Sequence, residues 1–95
     1  MKKTTVGIIV VGKDKEGVVA QFTNFVFQNN GNVEKVNQNV IKDLFGMYLE
    51  VSFTSTINFK QLNSGLQKLG KKLRMEVSTH SVSYTHLTLP TILLV

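Results

Sequence analysis

Phe45-Gly46-Met47-Tyr48-Leu49-Glu50-Val51-Ser52-Phe53 carries the clearest period in this chain of 95 residues. Successive side chains on a strand point to opposite sides. Phe45, Met47, Leu49, Val51 and Phe53 therefore share one apolar face, while Gly46, Tyr48, Glu50, Ser52 and Thr54 share the other.

Upstream, Lys42-Asp43 marks a short turn, and the strand before it, about Asn32 to Lys42, is polar and only partly alternating. Val36 and Val40 stand there among Glu34, Lys35, Asn37, Gln38 and Asn39, which suits an edge strand whose charge blunts unwanted pairing. Asn30-Gly31 is a helix stop signal. Before it, Val18, Phe22, Phe25 and Val26 recur at helical spacing, predicting a helix from about Gly17 to Asn29 with Asp14 as its candidate N-cap. Thr4 to Val11 is apolar on both faces, Val6/Ile8/Val10 and Gly7/Ile9/Val11, as expected of a central strand buried on both sides.

Downstream, Asn58 followed by Gln61 resembles a capping box. Phe59, Leu62, Leu66, Leu69 and Leu73 form one stripe, so a second helix is expected from about Phe59 to Lys72. Gly65 and Gly70 inside it cost about 1 kcal/mol each relative to Ala, leaving packing to supply its stability. A last strand runs from Met75 to about Val82. The order strand, helix, strand, strand, helix, strand is that of an α+β, ferredoxin-like βαββαβ sandwich, an antiparallel four-stranded sheet with two helices on one face. Its crossovers place the first and third strands centrally and the second and fourth at the edges.

One domain, residues 1–82, accounts for this pattern. Residues 83–95 form a separate tail that holds the single proline, Pro90, and ends in Ile92-Leu93-Leu94-Val95. Ser83-Tyr84-Thr85-His86-Leu87-Thr88-Leu89-Pro90-Thr91 resembles translated sequencing-adaptor read-through, so a non-native tail is the expectation; an extra strand or a partner-binding tail is the alternative.

Composition narrows the function. An apolar share of 42% is ordinary for a globular chain, and no stretch approaches the ~20 apolar residues of a membrane span. Lys2 and Lys3 precede an apolar run too short for a signal peptide. With no cysteine there is neither a disulfide framework nor a Cys-based zinc site, and a cytoplasmic location is expected. The net charge of +5 raises nucleic acid as a partner. Lys68, Lys71, Lys72 and Arg74, however, cluster near the end of the second helix, where cations complement the macrodipole, and read as a solvated face.

No catalytic or metal-binding constellation emerges. Gly12 and Gly17 have the spacing of a phosphate-binding loop, but Val18 and Val19 occupy the places that need Lys and Ser/Thr. What the loop does offer is backbone N–H groups at a helix N-terminus, a nest for a carboxylate, with a plain strand-to-helix turn as the equal alternative. His80 and His86 lack metal-ligand spacing. Asp14 and Glu16 sit beside Lys13 and Lys15, which favours solvated ion pairing over acid–base work.

Asp14-Lys15-Glu16-Gly17-Val18-Val19, the stop at Asn30-Gly31 and the opening Asn32-Val33 closely resemble the ACT-domain pattern, Asp-x-Pro-Gly-Ile/Val before the helix and Gly-x-Asn-Ile after it. The likeness spans about Lys3 to His80. It is nearest to small stand-alone ACT proteins and to the amino-terminal ACT domains of formyltetrahydrofolate deformylases and glycine-cleavage repressors. The resemblance implies a homodimer, or a higher assembly, that senses an amino acid or similar metabolite at a subunit interface. The implied ligand-binding set is Asp14, Gly17, Val18 and Asn32. Asp14 would be the polar loop residue, Gly17 would admit the ligand to the backbone, and the amide of Asn32 would grip it. Glu16 replaces the family's proline, and Gly12 stands where serine-sensing members carry a histidine. No cofactor, metal or enzymatic activity is implied.

Two rivals share the element order. An RNA-recognition motif stacks bases on aromatics of both central strands. Phe45-Gly46-Met47-Tyr48 faintly echoes its signature, but Val6 to Val11 has no aromatic, and Phe45 and Phe53 read as core. An acylphosphatase-like enzyme needs an arginine in the first loop. The only arginine is Arg74.

Overall fold

The computed structural model describes residues 4–13, 16–54 and 57–82. The six expected elements are present in the expected order: β1 (Thr4–Lys13), α1 (Val18–Gln28), β2 (Asn32–Ile41), β3 (Leu44–Phe53), α2 (Phe59–Leu73) and β4 (Met75–Val82). They form one antiparallel sheet in the order β2-β3-β1-β4. The apolar strands occupy the centre because only there do they bury their side chains against neighbours on both sides.

One sheet face and two helices enclose the core. Val6, Ile8 and Val10 of β1 meet Phe45, Met47, Leu49, Val51 and Phe53 of β3, with Val18, Phe22 and Val26 of α1 and Leu62 and Leu66 of α2 laid across them. The alternation in β3 thus fixes which face the helices cover. The expectation that β1 is buried on both faces needs correction. Among the described residues no helix covers the second face, and Ile9 and Val11 are partly exposed there.

The helix ends show how local sequence sets the geometry. Asp14 is not the N-cap of α1: that place belongs to Gly17, with no side-chain cap and a left-handed φ of 81°. The chain reverses there through a conformation that glycine adopts without the steric cost other residues bear. At the other end Asn30 is left-handed (φ 66°), its N–H donates to the Phe27 carbonyl, and the Gly31 N–H donates to the Val26 carbonyl. This pair of bonds is a Schellman motif, which satisfies carbonyls that the helix leaves unpaired. Asn58 caps α2 as expected, its Oδ1 accepting from the Gln61 N–H at 3.1 Å.

The two edges differ. On β4 the Val77 carbonyl accepts from Gln67 Nε2 of α2 at 2.7 Å, and Thr79 Oγ1 donates to Asn63 Oδ1. Side chains from the helix layer thus reach over that edge. Strand β2 is exposed along its whole length, with Val33, Val36, Val40 and Ile41 among the exposed apolar residues. A bulge between Val33 and Lys35 sets Glu34 outside the register, and its carboxylate accepts from Ser52 Oγ.

Candidate ligand site

The expected ligand-binding residues fall at two ends of the molecule. Gly17 follows the end of β1, where Lys13 pairs with Leu44. Asn32 opens β2 at the far end, where it pairs with Ser52 and Ser52 pairs with Thr5. Helix α1 spans the distance between them, roughly 16 Å for 11 residues. One copy of the chain therefore does not bring Gly17 and Asn32 together.

Each end has its own character. At the first, the Gly17 carbonyl accepts from the Gln21 N–H, the opening bond of α1. The N–H groups of the residues between them precede that ladder, and a Cβ at Gly17 would meet none of the described residues within 4 Å. Space and donors are both on offer. The side chain of Val18 lies in the core, so its backbone N–H is the group it can contribute. Asp14 lies outside the described residues. At the second end, Asn32 lines a pocket of about 370 Å³ with Asn30, Gly31, Glu34, Ser52 and Thr54, a wall of amide, carboxylate and hydroxyl groups. Glu34 and Ser52 were not singled out by sequence; the bulge that brings them into contact leaves no periodic signal.

Among the described residues the open face of the sheet has no aromatic on β1 on which bases could stack. Phe45 and Phe53 are in the core, and β1 carries Gly7, Ile9 and Val11 on the open face. Glu50 is only 6% exposed there although no helix among the described residues covers it. Tyr48 lies beside it and donates its hydroxyl to Glu50 Oε1 at 2.9 Å. Among the described residues no group of three or more His, Cys, Asp or Glu is placed to hold a metal ion.

Comparison with known proteins agrees with the fold. The pattern of the ACT domain family matches residues 4–80. A UPF0237 protein of Methanococcus maripaludis is 36% identical over 72 residues, which is 75% of this chain and 80% of that one. An ACT domain protein from Streptococcus pneumoniae superposes with a TM-score of 0.77 at 28% identity, covering 82% of this chain and 89% of its own. A formyltetrahydrofolate deformylase from Burkholderia mallei superposes with a TM-score of 0.75 over 82% of this chain but only 28% of its own; at 12% identity that likeness speaks for the fold alone. The resemblance read in the loop and strand motifs is thereby borne out: this chain belongs to the ACT domain family.

Proposed function

We propose that the chain is a non-catalytic regulatory domain that dimerises along β2 and senses a small effector, an amino acid in the first instance, at sites shared between the two copies. The observation that carries this reading is the separation of Gly17 from Asn32. A two-fold axis through the middle of β2 would pair it antiparallel with its symmetry mate and set Asn32 of one copy beside the Ile41 end of the other, the end at which Gly17 lies. Two distant half-sites would then become two complete ones.

The surface along β2 supports such a pairing. Phe25 faces α2, where its ring lies against Gly65. At about 100° per residue, Phe27 stands roughly 200° further round, on the flank of α1 away from α2 and above β2. It is 75% exposed, and Ala20 on the same flank is exposed as well. An antiparallel approach of two α1 helices would set the large Phe27 against the small Ala20 of the other copy, while the exposed valines of β2 come under cover. A nest of N–H groups near Gly17 suits a carboxylate, and the amide and carboxylate groups around Asn32 suit an ammonium group. Together these are the two ends of an amino acid.

Among the described residues no helix is long and apolar enough to cross a membrane. With the lack of cysteine, this fits the cytoplasmic location proposed here. Sedimentation velocity at tens of micromolar should show a dimer, and a thermal-shift screen of the protein amino acids should find one that raises Tm in a saturable way. A monomer throughout, with no amino acid shifting Tm, would end this reading.

A further inference from the structure

A second pocket lies wholly within one copy, between the C-terminal end of α1 and the N-terminal half of α2, and has a volume of about 490 Å³. That is within the range of sites that take small molecules. Its apolar lining includes Phe25, Phe53 and Leu62, while Asn29, Asn58 and Gln61 supply carboxamide or amide groups. Gly65 helps to shape it, since a side chain there would collide with the Phe25 ring that forms part of the wall. Among the described residues that line it, Lys68 alone carries a charge.

From this lining we infer that the pocket is a binding site for a small organic monocarboxylate with an apolar body. The aromatic and aliphatic side chains take the body out of water, which supplies the non-directional part of the affinity. One ammonium group with no acid beside it among the lining residues selects a single negative charge, and the carboxamides can donate to the second carboxylate oxygen. A dianion such as a phosphate monoester would meet half the countercharge it needs. A neutral alcohol of the same shape would leave Lys68 without a partner. Nothing in this site comes from a second copy, so it stands or falls independently of the dimer proposed above.

The test is an amide NMR titration of the full chain with phenylacetate, using 2-phenylethanol as the uncharged control. Phenylacetate should give saturable shifts centred on Asn29, Asn58, Gln61, Leu62 and Gly65, with little response to the alcohol. Lys68 is exposed, so Lys68→Gln should fold normally and weaken phenylacetate about threefold to fivefold, the weight of one exposed charge pair. Absence of saturable shifts, equal binding of the alcohol, or an unchanged affinity in Lys68→Gln would overturn the assignment. Shifts centred on Gly17, Val18 and Asn32 would overturn it too, and would place the carboxylate in the shared site instead.

Discussion

Phe25 of α1 and Gly65 of α2 meet ring edge to backbone, so closely that a Cβ on Gly65 would lie 2.6 Å from the ring Cζ. A glycine in mid-helix therefore has a packing reason here. Gly65→Ala gains about 1 kcal/mol of helix propensity but must push an aromatic ring that is already partly buried against the core. Overpacking of this kind costs typically about 1–3 kcal/mol, so the variant should be less stable than the parent in urea unfolding. Phe25→Leu in the same background should recover part of the loss, because the two residues are coupled through one contact.

Asn58 offers a cleaner measure of local stability. Its Oδ1 accepts from the Gln61 N–H, and Asn58→Ala removes that bond while leaving the core intact. The expected loss is about 1 kcal/mol in chemical unfolding with an unchanged m-value.

Gly17 separates backbone strain from ligand access. Its φ of 81° is hard for a β-branched residue and easy for Asn. Gly17→Val should cost about 1–2 kcal/mol of stability, whereas Gly17→Asn should cost a few tenths, although none of the described residues crowds the position in either case. Equal stabilities for the two variants would show that the turn relaxes. Gly17→Asn is thus the variant to use against an effector, since loss of binding in it is not loss of folding.

Much of this was legible in the sequence, and what was missed has physical causes. Phe59 at the head of the α2 stripe is exposed, but the alternation in β3 and the stripe of Leu62, Leu66, Leu69 and Leu73 record burial within one chain, so both were readable. So was the end of α1, because Asn30 and Gly31 are the residues a left-handed stop requires. The start of α1 misled because Asp14 is a good capping residue by type, whereas the chain turns at Gly17, where only backbone conformation matters. The second face of β1 misled differently. Ile9 and Val11 are as apolar as a buried strand demands, but a sequence does not say whether a covering surface belongs to the same chain. Glu50 and Ser52 look like solvent-facing positions by period, yet both are buried, Glu50 accepting from the Tyr48 hydroxyl of its own strand and Ser52 donating to Glu34 of the neighbouring one.

The tail gives a direct test of domain extent. The described residues of β4 run to Val82, which lies opposite Thr5, and the family pattern ends at residue 80. Removal of residues 83–95 should leave cooperative unfolding and Tm essentially unchanged. It should also improve solubility, because Ile92-Leu93-Leu94-Val95 is an uncharged, β-prone run. A broad, non-cooperative transition after truncation would make the tail part of the fold.

The shared site is tested most directly by mixing two defective proteins. Gly17→Asn and Asn32→Ala each damage a different half of the site, and calorimetry on each alone should show little binding of the amino acid found by thermal shift. Asn32→Ala should lose the roughly 1–3 kcal/mol typical of a hydrogen bond removed from a buried polar group. When the two are mixed in equal amounts and allowed to exchange, about half the dimers are mixed, and each of these pairs one doubly damaged site with one intact site. Tight binding should therefore return at about a quarter of the sites. If the mixture binds no better than its components, although mixed dimers have formed, Gly17 and Asn32 do not act across a subunit boundary and the account is wrong.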